Sequence, residues 1–568
     1  MQTDMSDNNA LSDKTLNALV EKSCALFAGR PALSLAFQQP LTYAELFDRI
    51  TRVAAQLKEA GIRKKDKVAI LGENSPAWAI AYLGTIRLGA IAVPILPDFP
   101  ESDVRHILTD AKAKILFTTQ RQIEKIYELG SHKISSIIML DDSPPEKHLG
   151  QIETFSSFIA KAAQLPPKKL EDAAKPSTIS SEDICAVIYT SGTSGHSKAV
   201  MLSHGNLYAN VNSANQLLKI MPDWTFLSIL PMSHTYEFTI GFLLPLLNGC
   251  RIVYAGKAPT PTTLQRICRK EKPSAICMVP MIMEKIYKKR VMSAIDQSPL
   301  LKLATKIPAL RQKIYRKIGR KLLDFFGGNL QLIAIGGAAI NHETENFLKE
   351  SRFPYLIGYG LTETSPLLAA GPFQDPSLVI GCTGKPVPGV EIRIAQPEPA
   401  TGIGEIMARG PNVMQGYANH PELTAQTIDS SGWLATGDLG RFDQFGNVHI
   451  MGRSKSVIVL SNGENIYPEA IEEKINSFMH VIESLVVENH DYLEARVYLD
   501  YDLIDQKTKN KNQQQKREYI EQLLKEIQQN VNSQLASYSK IHKIIERQEP
   551  FIKTATHKIK RYLYTEGH

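Results

Sequence analysis

Residues Tyr189–His204 read YTSGTSGHSKAVMLSH. Hydroxyls from Thr190, Ser191, Thr193 and Ser194 surround Gly192 and Gly195, and Lys198 closes the polar run. The apolar, β-branched stretch ICAVIYT precedes it and reads as a strand. In SHGNLYANVNSANQLLKI, which follows, Leu207, Val211, Ala214 and Leu217/Leu218 share a helical face, with Ser203 and Asn206 as caps. The spacing therefore predicts a loop between a strand and a helix, the usual address of a phosphate-binding loop. Glycines allow the backbone to approach an anion, successive N–H and O–H groups donate to its oxygens, and Lys198 adds charge. A Walker loop needs G-x-x-x-x-G-K-[ST]. Ser197 occupies the second glycine position, which excludes a P-loop nucleotide hydrolase.

A chain of 568 residues exceeds what one hydrophobic core serves, so two or more domains are expected. Cys24, Cys185, Cys250, Cys268, Cys277 and Cys382 are scattered without a C-x-x-C pair, which suits reduced core thiols of a cytoplasmic protein. The first residues, MQTDMSDNNALSDK, carry no apolar leader. The most apolar run, FLSILPMSHTYEFTIGFLLPLLNGC, is broken by His234, Glu237 and Pro245 and reads as buried strand and helix, not a membrane span. Net charge is +7, yet Arg266–Asp324 alone holds 16 Lys/Arg against 4 Asp/Glu. That stretch is either a solvated helical face or a dock for an acidic cofactor, an acyl carrier protein or an anionic membrane surface. No interleaving of aromatic and basic residues accompanies it, so nucleic acid is not an expected partner.

From Pro31 onward, strand-like runs (KVAIL, IAVPIL, KILFTT, ISSIIML, AVIYT) alternate with helical text such as AWAIAYLGTIRLGA. The alternation predicts an α/β fold with parallel-rich sheets and flanking helices. QLPPKKLEDAAKPSTISSED reads as a polar linker. From Gly381 the text becomes Gly-rich and β-like, predicting a β-rich subdomain, and from Arg453 it is mixed α+β with an exposed loop KTKNKNQQQKR. The boundaries expected are 1–452 and 453–568.

Three further signals join the opening loop. IGYGLTETSP offers Tyr359 between glycines, presented on a turn to stack on a base, with a hydroxyl at Thr362 and a carboxylate at Glu363 suited to Mg²⁺. Upstream, Gly336 and Gly337 end a strand and admit a flat ring. In GWLATGDLGRFDQFGNVHIMGRSKS, Asp438 sits in a turn without an obvious partner charge and suits two ribose hydroxyls, while Arg453 suits the same sugar or a phosphate. The tail, KTATHKIKR, carries Lys558.

In this order and at these distances, the four resemble the adenylate-forming superfamily, which includes acyl-CoA synthetases and firefly luciferase. The resemblance runs from about Leu41 to Arg561. YTSGTSGHSK is similar to that family's phosphate loop, departing at Ser197 and Ala199. YGLTETS matches its adenine and metal motif, TGD its ribose motif, and TATHKIKR its terminal lysine motif, with His557 in place of glycine. The resemblance implies ATP, Mg²⁺ held by Glu363 and Thr190, a catalytic Lys558 and Thr362, and a hinge at Lys455. It also implies that the small C-terminal domain is mobile, and that Gly463 lines a pantetheine channel after the domain turns. LPMSHTYEF corresponds to the acyl-pocket motif and lacks the Asp of amino-acid-activating members. It looks most like long-chain fatty acyl synthetases. His234 either gates or orients the substrate carboxylate, or is structural. Phe238 either faces the acyl tunnel or is core, and Gly241 leaves room for a chain. The function implied is fatty acid–CoA ligation. An acyl-acyl carrier protein synthetase is the alternative, a luciferase-like oxygenase shares the same motifs, and a non-catalytic adenylate-binding protein is the remote one. A cytoplasmic protein, peripheral on the inner face of a membrane, is the expected setting.

Overall fold

The computed structural model describes residues 13–127, 134–143, 151–175, 178–190, 197–372, 374–460, 464–490, 492–554 and 558–565. Two sheets with parallel centres dominate its larger, N-terminal domain. In the first, nine strands include a parallel block ordered Pro31–Leu35, Arg251–Tyr254, Thr225–Ser228, Ala275–Met278, Leu332–Ile335, Tyr355–Gly360, flanked by antiparallel edges such as Leu367–Pro372. In the second, eight strands include the parallel block Ile184–Thr190, Ile91–Ile95, Lys67–Leu71, Ile115–Thr118, Ser136–Met139, Ile152–Thr154. Strands such as Ile91–Ile95 and Leu332–Ile335 are buried at every residue, as parallel strands covered on both faces must be. This is why their text is continuously apolar.

The β-rich text after Gly381 forms a separate four-stranded antiparallel sheet of Glu391–Ala395, Gly404–Arg409, Leu434–Phe442 and Val448–Arg453. Gly404–Arg409 alternates buried and half-buried residues, so this sheet has one covered face. The smaller C-terminal domain packs Val481–Asn489, Tyr492–Leu499 and Ile541–Arg547 against helices Pro468–Asn476 and Gln513–Asn532. It has a core of its own in Ile471, Ile475, Val486, Leu524, Ile527 and Val531. Each such side chain contributes roughly 1.5–3 kcal/mol on burial.

Two segments expected to be irregular are partly helical. Pro167–Ala174 forms a helix inside the polar linker, started by its proline, and buries Ala173. Asn512 caps the helix that begins at Gln513, so the second half of KTKNKNQQQKR is helix, not loop. The basic stretch is a series of helices including Pro261–Glu271, Pro280–Ile286 and Pro308–Phe325. Its charges are not all free. Nζ of Lys288 donates to the carbonyls of Asn476 (2.8 Å), Phe478 (3.1 Å) and Val481 (2.9 Å) of the C-terminal domain. Arg311 pairs with Glu350, and the Arg290 guanidinium lies over Phe325.

Candidate active site

The opening loop leaves Ile184–Thr190 as expected, but the chain returns as a second strand, Lys198–Ser203, antiparallel to the first with Thr190 opposite Lys198. The expected direct passage into a helix is therefore corrected. AVMLS is strand, with four of the six residues in Lys198–Ser203 buried, and the helix starts only at His204. Ser203 is its cap. Its hydroxyl accepts from the Asn206 N–H, and the Asn206 amide oxygen accepts from the Ser203 N–H. Ser191, Gly192, Thr193, Ser194 and Gly195 lie outside the described residues, as does Gly463.

Three buried asparagines then carry the fold to the site. Asn206 donates to the carbonyls of Pro411 and Val413, both at 2.8 Å. Asn412 donates to Thr364 and Leu367, and Asn210 both donates to and accepts from Leu367. The Met414 N–H donates to the carbonyl of Glu363. These bonds clamp the turn at Thr362–Thr364 between two elements distant in sequence. Gly360 is required just before it, since a Cβ there would stand 1.9 Å from the Pro366 carbonyl oxygen. The same segment supplies Tyr417, which pairs in a short strand with Val200. Its hydroxyl donates to Oε1 of Glu363 at 2.9 Å. Nζ of Lys198 stands 4.9 Å from the centre of its ring. Burial, then Glu363, pushes the Tyr417 phenol well above its ordinary range, so it keeps its proton. Glu363 makes no other side-chain bond among the described residues. A single carboxylate with an oxygen to spare and the Thr190 hydroxyl fit a hard cation that completes its shell with phosphate oxygens and water.

Tyr359 and Asp438 are both in strands, not in turns as expected. Tyr359 lies in Tyr355–Gly360 and is buried; Asp438 lies in Leu434–Phe442. Nor is Asp438 without a partner. Cross-strand register places it opposite Arg453, whose Nε stands 2.7 Å from Oδ1, and the Tyr359 hydroxyl donates to Oδ2 at 2.7 Å. Gly437, at φ +71, makes the bend that brings Asp438 to the cleft. Burial, then Asp438, holds the Tyr359 phenol well above its normal value. Gly336 and Gly337 end their strand as expected, and a Cβ on Gly336 would press on the Gly358 carbonyl and the Tyr236 ring.

His234 and Tyr236 stand on the other wall. The Tyr236 hydroxyl donates to the Ala334 carbonyl, and its N–H to Nδ1 of His234 at 3.4 Å. Burial, then Lys558, pushes the His234 imidazole down to about 4, so it is neutral at pH 7. With Nδ1 accepting, the ring proton sits on Nε2. Phe238 packs among Trp78, Tyr82 and Phe242 and is core. Gly241 does not leave room for a chain. A Cβ there would stand 2.7 Å from the carboxyl of Glu237, which fills that space. Glu237 is buried near the Ser228 hydroxyl, which pulls its pKa down a little, but burial outweighs this and raises it to about 8, so it is a neutral acid at pH 7.

Thr190, Lys198, His234, Tyr236, Glu237, Gly337, Tyr359, Glu363, Tyr417, Asp438 and Arg453 line one cleft of about 3050 Å³ between the domains, together with Thr362, Lys455 and Lys558. Lys558 arrives from the C-terminal domain on a hairpin in which the Thr554 N–H donates to its carbonyl at 2.8 Å. Enclosure by the cleft walls, then Arg453, lowers its pKa, while Asp438 and Glu363 pull it back. The side chain is open to the cleft, so water there moderates the first effect. The structure thus brings together Thr190, Lys198, Gly337, Tyr359, Thr362, Glu363, His234, Asp438, Arg453, Lys455 and Lys558, with Gly336 adjoining Gly337 but off the lining. Sequence reading missed Tyr417, Tyr236, Asn210 and Asn412, and saw Asn206 only as a helix cap. The signal for Tyr417 was PNVMQGY, a turn-rich run with an aromatic at its end.

A family model described as AMP-binding enzyme matches residues 20–418, and one described as AMP-binding enzyme C-terminal domain matches residues 455–566. A (methyl-dioxo-octahydroindenyl)propanoyl:CoA ligase of Rhodococcus jostii is 30% identical over 79% of this chain and 81% of its own. The long-chain-fatty-acid–CoA ligase ACSBG1 of Rattus norvegicus is 27% identical over 79% of this chain, which spans only 65% of that protein. The anthranilate CoA ligase AuaEII, solved with anthranoyl-AMP, shares the fold with a TM-score of 0.80 at 20% identity, covering 98% of each chain.

Proposed function

We propose that this chain, which belongs to the AMP-binding enzyme family, is an AMP-forming acid–thiol ligase that activates a medium-to-long-chain fatty acid and passes the acyl group to CoA. The observation that carries this reading is Lys558. It comes from the C-terminal domain into the cleft that already holds Glu363, Asp438, Arg453 and His234. A carboxylate oxygen attacks the α-phosphorus of ATP, and the bond to pyrophosphate breaks. Two anions must meet, so the barrier is largely electrostatic. Lys558 and Thr362 stabilise charge at the α-phosphate. Thr190, Ser191, Gly192, Thr193, Ser194, Gly195 and Lys198 hold the β- and γ-phosphates. Asp438 and Arg453 take the ribose, while Tyr359, Gly336 and Gly337 take the base. Neutral His234 offers its Nε2–H to the fatty carboxylate and adds no charge of its own. Glu363, with Thr190, would hold Mg²⁺, which offsets phosphate charge when bound.

In the second half the thiol sulfur attacks the acyl carbon and AMP leaves. The domains divide at 452/453 and turn at Lys455, which withdraws Lys558 and brings Gly463 to a pantetheine channel. The names of the relatives support a fatty acid and CoA as the pair of substrates. The basic stretch is weaker support for an acyl carrier protein than its charge count suggests, because Lys288, Arg290 and Arg311 are already engaged. The setting proposed is the cytoplasm, where ATP and reduced CoA meet, and the six buried free cysteines accord with it.

The test is AMP release with ATP, Mg²⁺ and a panel of fatty acids, run with CoA and in parallel with acyl carrier protein. Turnover with CoA supports the proposal, and turnover only with the carrier protein replaces CoA as acceptor. Absence of both turnover and pyrophosphate exchange overturns the ligase reading for these acids and revives a non-catalytic adenylate binder.

A further inference from the structure

Between Ser298 and Leu310 the chain forms an elbow of two helices, Pro299–Ala304 and the start of Pro308–Phe325. The first of these helices buries no residue. Leu300 is 80% exposed, Leu303 63%, Ile307 52%, Leu310 42% and Leu301 36%. Scattered single apolar residues are ordinary on a protein surface, but five large ones within eleven positions form a patch. A patch of this kind marks a contact, and its surroundings say with what. No acidic residue lies between Asp296 and Asp324, while eight Lys/Arg do. Lys306, Lys313, Lys317, Arg320 and Lys321 are exposed and form no ion pair among the described residues. The helix Pro308–Phe325 buries Gly319, Leu322 and Phe325 toward the protein and keeps much of this charge outward.

We propose that the Ser298–Leu310 elbow is a lipid anchor: its leucines and Ile307 enter the acyl boundary of an anionic bilayer, and the lysines around them hold the phosphate headgroups. Apolar side chains at the tip with cations behind them match the depth profile of a bilayer, apolar inside and anionic at its surface. An acidic protein partner would use the cations, but the patch SPLLKLATKIPAL carries none of the aromatic or methionine anchors that protein interfaces favour. No described helix is long and apolar enough to cross a membrane, so the elbow lies in the interface. Position fits the ligase reading on which the purpose of the contact rests. The helical run that ends in the elbow starts at the cleft rim, where Val279, half-exposed Met281 and Ile282 line the cavity. The same helical run thus connects the proposed membrane contact to the cleft rim.

The test is sedimentation of the full chain with vesicles of phosphatidylcholine, with and without phosphatidylglycerol. No ATP or acid is present, so the outcome is independent of the ligase reading. The wild type is expected to bind the anionic vesicles, to bind phosphatidylcholine weakly, and to lose part of its affinity in high salt. Leu300→Asp with Leu303→Asp should lower affinity by about tenfold or more, whereas Tyr492→Asp, at an exposed apolar position in the C-terminal domain, should not. Both positions are exposed, so folding is unaffected, as circular dichroism would confirm. Three results overturn the proposal: no vesicle binding by the wild type; binding that the leucine variants retain while Lys306→Glu with Lys313→Glu abolishes it, which makes the contact charge alone; or a wild-type dimer in light scattering that Leu300→Asp dissociates, which makes the patch a self-interface.

Discussion

Asp438→Asn isolates the ribose contact. In the wild type one carboxylate oxygen is engaged by Tyr359 and the other by Arg453, each at 2.7 Å. Both oxygens have lone pairs to spare for the two sugar hydroxyls. Asparagine keeps one acceptor oxygen, enough for Tyr359, and turns the other position into a donor. Arg453 is half exposed and rehydrates, so the fold should lose about 1 kcal/mol or less. The nucleotide loses more. A hydrogen bond to a charged acceptor is worth about 1.5–3 kcal/mol, and one or two such bonds give a loss of about 2–4 kcal/mol. That predicts a fall in kcat/KM for ATP of roughly 30-fold to 10³-fold, with the fatty acid KM little changed. The decisive assay adds 2′,3′-dideoxy-ATP. The wild type should lose on this analogue what the variant loses on ATP, and the variant should lose little further. If Asp438→Asn costs as much with the dideoxy nucleotide as with ATP, Asp438 does not bind the ribose and the reasoning fails.

Two other outcomes follow from the site. Tyr417→Phe removes the donor to Glu363 but keeps the ring under Lys198, so half-saturation by Mg²⁺ in pyrophosphate exchange should rise about 2–10-fold; Tyr417→Ala should cost more, and equal effects would separate the ring from the site. Glu237 has a pKa raised from 4.5 to about 8, so the native state holds its proton more tightly than the unfolded chain, and the resulting stability is present below pH 4.5 and lost as pH rises to about 8. Glu237→Gln should remove that loss, gaining on the wild type by a few kcal/mol across this window at about 1.4 kcal/mol per pH unit; a difference in denaturant unfolding free energy that stays flat with pH refutes a buried neutral acid.

Legibility in the sequence tracked the distance between partners. Each phosphate, adenine, ribose and lysine motif is a short contiguous run whose hydroxyls, glycines and charges announce themselves, and the parallel strands are apolar throughout because both faces are covered. Pairings across the chain left no such mark. Asp438 looked solitary because its two partners come from a neighbouring strand and from 79 residues upstream. Tyr417 bonds Glu363 across 54 residues, and nothing in PNVMQGY says which carboxylate it will meet. Gly241 read as space because a glycine does not reveal that Glu237, four residues earlier, turns back to fill it. The strand Lys198–Ser203 was absorbed into the loop before it, since six residues are too few for a period of two to stand out between a polar run and a fourteen-residue helix.

The charges of the cleft differ in how they are held, and that difference bears on the order of events. Asp438 and Arg453 are bound to each other across adjacent strands, so on the proposed reading a ribose would meet an arrangement that needs no rebuilding. Glu363 is fixed by Tyr417 and by the asparagine clamp behind it. Lys558 is the exception. It enters on a hairpin of the other domain, forms no ion pair among the described residues, and has its pKa lowered by enclosure and by Arg453. An anionic substrate in the cleft would supply the counter-charge that Lys558 lacks, returning its pKa toward the ordinary value and favouring the docked domain by the same free energy. On the proposed reaction, departure of pyrophosphate would take part of that attraction with it and leave the Lys288 bonds to Asn476, Phe478 and Val481 to hold the docked domain with less electrostatic help. On the proposed mechanism the docked position of the C-terminal domain would therefore be linked to the negative charge in the cleft, and loss of that charge by chemistry would itself bias the domain toward the second half-reaction.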